Sequence, residues 1–391
     1  MRVCFSKLNS LLATVPLFCI ALASLFSYAL PGYSIATEVL EVAFFVFFVY
    51  SINEKSKFSF QRLSLISALA LYFFGSAAFI TYNDINILDF LQAYKAYYYL
   101  ICFLVIVSSA RSAYLNDREF RLVVDFMLAV FLAKYVIDWL LGVSRPSLFT
   151  ENNFEIIFLL LIYYFLESGN KNLSFVRAGA IILVSLLSGS RSSTLATVFA
   201  FLFIIIPRLK FSRKNIIHII FVVITGLISW LVFYATFFFR LGESDIQDID
   251  RIRFFYLFLY EIEEWGLTDY LIGAPRITPL SQSTCATLSF YHTLFSYSGN
   301  GTCYSVILHS YILRALFDHG ILFFGMLLYG YVYLLNFLSY KPIQILGFLS
   351  ILMITSLSVS GPNSIYTAYA MLLIVLAGKG RMRCPRLDNL R

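Results

Sequence analysis

Charge is what this sequence has least of. Charged residues fill 13% of its 391 positions, against roughly 25% in soluble globular domains. That is too few to cover a globule of this size with polar side chains, whereas a bilayer needs no such cover. A soluble fold is therefore excluded. Cysteine is scarce as well, with six in the chain. Cys4 and Cys384 flank the ends, Cys19 and Cys102 fall within apolar stretches, and Cys285 and Cys303 share a hydrophilic region. The last two are the one candidate disulfide pair, so a disulfide-stapled scaffold is excluded. No small-x-small cleavage site follows the first apolar stretch, which is expected to stay as a helix.

What fills the chain instead is hydrocarbon: 60% hydrophobic residues, 18% aromatic, and a mean hydropathy of +0.80. Stretches long enough to cross a membrane as helix occur about twelve times. They cover residues 10–30, 33–51, 63–80, 92–110, 122–141, 154–168, 176–190, 192–207, 216–238, 318–339, 343–358 and 364–378. The expected fold is an all-α polytopic membrane bundle of about 12 helices with one large loop on the outer side. Residues 1–238 hold nine helices, 239–307 the loop, 308–378 three more helices and 379–391 a basic tail. Within the pair at 176–207, the sequence SGSRSS reads equally as a hairpin between two short spans or as a polar break inside one.

The net charge of +7 does not mark a nucleic-acid partner, because the basic residues are spread over short connections. Most of the 29 Lys and Arg fall in alternate connections: RVCFSK, NEKSKFSFQR, RSAYLNDREFR, ESGNKNLSFVR, PRLKFSRKN, SYKP and the tail KGRMRCPRLDNLR. The positive-inside rule makes that set cytoplasmic, with both termini inside. Lys95 and Lys134 lie within spans, so every basic residue left to the outer side is arginine: Arg145, Arg191, Arg240, Arg251, Arg253, Arg276 and Arg314. A guanidinium stays charged in a poorly solvated site and grips phosphate with a rigid fork of donors. The same residues also suit loop anchoring to carboxylates or lipid headgroups, but arginine without lysine favours a phosphate-bearing ligand.

The outer loop opens with acidic residues Glu243, Asp245, Asp248 and Asp250, then Arg251 and Arg253 at the head of an apolar run. That run is expected to lie along the membrane surface as a helix. Asp248 and Asp250 form a D-x-D, a pattern that holds a metal in some glycosyltransferases and equally makes a solvated acidic face. Cys285 and Cys303 would staple the loop in an oxidising compartment. Residues 308–319, LHSYILRALFDH, read as a helix entering from outside, with Ser310, Arg314 and Asp318 on one stripe and His309 at its mouth. A histidine there can act as a general base or as a hydrogen-bonded interfacial residue. Arg191 stands in SLLSGSRSSTLATVF among small residues, and Arg145 near Glu151, Asn152 and Asn153. Lys134 with Asp138, and Glu38 with Glu41, have the spacing of contacts inside the bundle or of an ion path.

In these motifs the chain resembles the bacterial O-antigen polymerase and O-antigen ligase superfamily of C-type membrane glycosyltransferases. SGSRSSTLATVFAFLFI resembles the Ser/Thr-x-Ser/Thr-Arg entrance to a span, which makes Arg191 a phosphate-binding arginine. DIDRIRFFYLFLYEI with LIGAP resembles the arginine-and-aromatic helix and glycine turn of the large loop, with Arg251 or Arg253 the second phosphate ligand. His309, Ser310 and Gly320 match the pattern His, Asn/Ser/Gln, nine residues, Gly, and FTENNF resembles the Glu/Asn-rich turn before a middle span. Phe323 departs from the small residue or tyrosine of the ligase pattern, which favours a polymerase.

The resemblance implies a glycosyltransferase of the bacterial inner membrane working at the periplasmic face. Its donor is a glycan on undecaprenyl diphosphate, with a chain-length regulator protein as a further partner and no cofactor or metal. Arg191 and Arg251 or Arg253 would clamp the diphosphate and His309 would serve the acceptor hydroxyl. Arg240, Arg314, Arg145 and Arg276 would bind diphosphate or glycan. A ligase would pass the same donor to lipid A core, and a lipid-linked oligosaccharide flippase is a different class again. The flippase is favoured by Lys95, Lys134, Asp138, Glu38 and Glu41 within spans. It predicts an internal repeat of helix groups, which the sequence does not show convincingly.

Overall fold

The computed structural model describes residues 7–26, 35–52, 58–109, 114–170, 172–208, 250–297 and 299–383. Among them the chain is 79% helical, with no strand. In chain order the helices are α1 (Lys7–Leu25), α2 (Ala36–Ile52), α3 (Phe60–Tyr82), α4 (Ile87–Ser108), α5 (Asp117–Leu140), α6 (Asn152–Gly169), α7 (Phe175–Leu187) and α8 (Arg191–Ile205). The later set is α9 (Asp250–Glu261), α10 (Leu267–Ile272), α11 (Gln282–Thr287), α12 (Tyr311–Phe337), α13 (Pro342–Ser356) and α14 (Ile365–Arg383). Four segments, Phe60–Tyr82, Ile87–Ser108, Arg191–Arg208 and Tyr311–Phe337, are long and apolar enough to cross a membrane. The stretch expected at 216–238 and the acidic residues Glu243, Asp245 and Asp248 lie outside the described residues.

Burial follows composition. From Ile156 to Phe165 every side chain of α6 is buried, and so is α14 from Ile365 to Ala377. Helices that are apolar all round belong inside a bundle, and these two pack directly against each other at its centre. The lipid-like face is on α2, α3 and α12, where Val42, Val46, Leu71, Phe74, Ile321 and Leu322 are exposed.

Polar contacts sort the helix ends into two groups. At one end, Asn363 Nδ2 donates to the carbonyls of Gln92 (2.9 Å) and Ala93, while the Ala96 N–H donates to Asn363 Oδ1 at 3.0 Å. There too the Tyr366 hydroxyl meets Thr37 and Thr150, Asn152 Nδ2 donates to Ser188 O at 2.8 Å, and Ser310 Oγ donates to Ser356 O at 3.1 Å. These bonds gather the starts of α2, α4, α6, α12 and α14 with the ends of α7 and α13. At the opposite end, Arg62 Nη1 donates to Ser108 Oγ at 2.7 Å and Lys379 Nζ to the carbonyls of Ile106 and Ser109, both at 3.0 Å. Arg381 pairs with Asp117 at 3.1 Å, and Arg177 with Asp125 and Glu167. The basic residues concentrate on this second end.

Two sequence expectations resolve here. SGSRSS is a hairpin: α7 ends at Leu187, Gly189 takes φ +64, and Ser190 caps α8 through the N–H of Ser193. The stretch 308–319 is not one helix. It is a 3-10 turn, Ser305–Leu308, then His309 at φ 48 and ψ −36, and only then α12. α12 itself breaks at Gly320, at φ 67 and ψ 177. The cause is a backbone crossing: an added Cβ on Gly320 would sit inside the Leu271–Gly273 backbone. Only paired glycines let two chains approach so closely.

Candidate functional site

The loop between α9 and α12 has a hydrophobic cluster of its own. Phe254, Phe258, Ala274, Leu280, Leu288, Phe295, Cys303, Ile307, Leu308 and Phe317 form it, so it is a packed unit seated on the first turns of α12. The Ala274 N–H donates to Phe317 O at 2.8 Å, satisfying a carbonyl next to the break in α12. Leu280 N donates to Cys303 O at 2.8 Å, and Pro279 bridges to Tyr304. α9 turns Phe254 and Phe258 inward and leaves Phe255, Tyr256, Leu259 and Tyr260 exposed, as a helix lying on a bilayer surface does.

His309 sits between this loop and the bundle. Its ring lies 5.3 Å from that of Phe254 and 5.6 Å from that of Tyr291, edge to face in both cases. Phe254 follows Arg253, so the arginine-bearing helix and the imidazole are neighbours. Arg253 is half-buried and Arg251 exposed. Arg191 opens α8 and is half-buried. α8 packs extensively along α13, whose last residue, Ser356, takes the hydrogen bond of Ser310 beside His309. The same end of the bundle therefore carries Arg191, α9 and His309.

The other arginines separate. Arg145 is exposed in the connection between α5 and α6. That connection is tied down by Glu155, fully buried, whose carboxylate accepts the N–H groups of Leu148 (3.0 Å to each oxygen) and Phe149 (2.6 Å). Arg276 is half-buried, donates to Ile272 O at 3.0 Å and lies over the rings of Tyr72 (4.9 Å) and Phe323 (5.5 Å), which stack on each other at 3.7 Å. Phe323 thus has a local reason: it carries Tyr72 and the guanidinium. Arg240 lies outside the described residues.

Arg314 is 2% exposed and pairs with Asp318 at 3.7 Å, while Ser305 Oγ donates to both oxygens of Asp318 at 2.7 Å. Among the described residues, Nε and Nη1 of Arg314 find no hydrogen-bond partner, nor does Oδ2 of Asp89, whose Oδ1 accepts the Tyr297 N–H at 2.9 Å. Asp89, Gln92, Ser305, Arg314 and Asp318 border one narrow cleft of ≈ 10 Å³, room for about one water molecule. Sequence reasoning did not find Asp89 or Gln92, because both sit in the first turns of α4, which begins five residues earlier than hydropathy placed it. His319 is equally buried: Nε2 faces the carbonyl of Ala93 at 3.3 Å, so it carries the hydrogen, and Nδ1 meets the Tyr72 hydroxyl at 2.7 Å.

The expected disulfide is not formed. Cys285 and Cys303 are free thiols, with Cys285 Sγ 4.0 Å from the carbonyl oxygen of Cys303. Burial pushes both thiols above the ordinary thiol range, Cys303 more strongly. Within the bundle, Lys95 pairs with Glu41 at 2.5 Å and Lys134 with Asp138 at 3.3 Å. No model of a known protein family matches the chain, and no characterised protein matches it in sequence.

Proposed function

We propose that the chain is an O-antigen-type polymerase, a glycosyltransferase that acts at the periplasmic face of the bacterial inner membrane. In this reading about twelve helices span the membrane and both termini are cytoplasmic. The two-sided sorting of helix ends, with basic residues concentrated at one, supports that orientation. The unit from α9 to the turn before α12 is then the periplasmic loop.

One observation carries the reading: His309 is held in left-handed backbone against Phe254, beside the arginines of α9, at the end of the bundle where Arg191 opens α8. A non-glycine residue at such φ and ψ costs of order 1–3 kcal/mol, and strain of this kind gathers at functional positions.

The chemistry is a displacement at a sugar's anomeric carbon. The acceptor hydroxyl oxygen bonds to C1 of the donor glycan, and the C1–O bond to the lipid diphosphate breaks. The electron pair leaves on the diphosphate and the hydroxyl proton goes to His309. Arg191 with Arg251 or Arg253 binds the negative charge as it develops on the leaving group. The growing chain passes to an incoming lipid-linked repeat unit, and the diphosphate bond supplies the driving force. The lipid-linked donor, the bilayer and a chain-length regulator are the partners.

The test is single alanine substitution of Arg191, Arg251, Arg253 and His309, with membrane levels checked and glycan ladder length read on a gel. Shortened or absent ladders support the reading, and a full ladder in all four removes it. Loss of a polymerase leaves one repeat unit on lipid A core, whereas loss of a ligase leaves the core bare.

A further inference from the structure

We propose that Arg276, on its shelf of Tyr72 and Phe323, is a binding site for the phosphate of an anionic phospholipid. The step needs only a chain that lies in a bilayer and does not rest on the polymerase reading.

The guanidinium is held in place but left without a counter-ion. It lies over the rings of Tyr72 at 4.9 Å and Phe323 at 5.5 Å, and Nη1 donates to Ile272 O at 3.0 Å. Among the described residues that is its only hydrogen bond, and no carboxylate pairs with it. Asp318, on the same helix as Phe323, is taken up by Arg314 at 3.7 Å and by Ser305.

The surroundings are those of the lipid-like face. Leu71 beside Tyr72, Ile321 and Leu322 at the break in α12, and Leu271 and Ile272 at the end of α10 are all exposed. The first turns of α12 are buried, and its exposed apolar side chains begin at Ile321. From there to Phe337 the helix has the length of a hydrocarbon crossing, which sets Arg276 near the outer border of the apolar layer.

Charge then selects the ligand class. A cation on an apolar rim is costly unless an anion meets it. An arginine that needed only water would extend past the rim, whereas this one is folded back over two rings. Its remaining donors suit the oxygens of one phosphate. A neutral sugar would leave the charge uncompensated, and a zwitterionic lipid brings an ammonium that competes for its own phosphate. Phosphatidylglycerol brings a net negative charge, with acyl chains to cover Leu71, Ile321 and Leu322. Bound there, it ties to the bilayer the segment that crosses α12 at Gly273.

The experiment titrates the full-length chain in detergent micelles with phosphatidylglycerol, phosphatidylcholine, undecaprenyl phosphate and soluble glycerol phosphate, and native mass spectrometry counts what stays bound. The tightest phosphatidylglycerol should bind about tenfold more strongly than phosphatidylcholine. Arg276→Gln should abolish that preference and Arg276→Lys keep part of it, as a point charge without the fork. Arg118→Gln, an exposed arginine at the opposite end of the bundle, should leave it unchanged. Phe323→Leu keeps the charge, removes a ring and should weaken the preference about threefold. Cooperative thermal unfolding checks each variant, and Phe323→Leu decides if Arg276→Gln does not fold. Equal affinity for the two phospholipids, or a preference that survives Arg276→Gln and Phe323→Leu, overturns the proposal. So does glycerol phosphate held through Arg276 as tightly as phosphatidylglycerol, which would mark a site for soluble phosphate. Undecaprenyl phosphate held there more tightly than phosphatidylglycerol would likewise overturn it and assign Arg276 to the glycan donor.

Discussion

Gly320 and Gly273 cross backbone to backbone: an added Cβ on Gly273 would lie 2.7 Å from the amide nitrogens of both Gly320 and His319. Both glycines also take positive φ, 67° and 83°. Their crossing fixes where the loop unit sits on α12, and with it the path that leads back to His309.

Gly320→Ala should therefore lower stability by about 2–4 kcal/mol, combining left-handed backbone with an overlap that only main chain can relieve. Gly325, one turn on, has nothing within 4 Å of an added Cβ, and Gly325→Ala should change stability by no more than about 0.5 kcal/mol. Thermal unfolding in detergent compares the two. Equal midpoints would show that the crossing is not a constraint.

His309→Gly separates strain from chemistry. Glycine adopts φ 48 without a Cβ penalty, so the variant should unfold about 1 kcal/mol harder than wild type, and in the polymerase reading it should lose the glycan ladder. A variant that is less stable as well as inactive would mean that the ring contacts with Phe254 and Tyr291 outweigh the backbone, and that His309 is a packing residue.

Glu155 anchors the connection between α5 and α6 through three backbone bonds. Glu155→Ala strands the N–H groups of Leu148 and Phe149 inside the bundle, each costing of order 1–3 kcal/mol. Limited proteolysis should then cut near Arg145, where the wild-type connection resists. An unchanged digestion pattern would show that the connection is held by other contacts.

How much of this was legible in the sequence divides by physical cause. Hydropathy marked the long helices because span length and apolar content are local properties: α1 to α8 and α12 to α14 lie close to those stretches, and four of the described segments are long and apolar enough to cross a membrane. The ends were less legible: α4 begins at Ile87 rather than 92 because Asn86 caps it, its side chain accepting from Leu88 N. That shift is what brings Asp89 and Gln92 into the cleft. The Gly320 break was hidden because its cause, Gly273, is 47 positions away in sequence. Within the candidate site, charge counting singled out seven arginines, of which Arg191, Arg251 and Arg253 lie at the end of the bundle that carries His309, while Arg145, Arg276 and Arg314 sit in separate surroundings. The contact of Arg276 with the Tyr72 and Phe323 rings was not legible, because cation–π packing leaves no periodic signal.

The two loop thiols give a prediction with a definite pH sense. Burial favours the neutral form of Cys285 and Cys303, so their folded pKa values stand above the unfolded ones. The folded state then keeps protons that the unfolded state has released. Their contribution to stability is complete below the unfolded thiol pKa, about 8.5, and is lost as pH rises from there through the folded values. The reactive thiolate is correspondingly rare near neutrality. With the chain reduced, iodoacetamide should label Cys285 slowly at pH 7 and about tenfold faster per pH unit above it. Cys303, 2% exposed, should react only on unfolding. Rapid labelling of both thiols at pH 7 in the folded protein would contradict their burial and the packing of the loop around them.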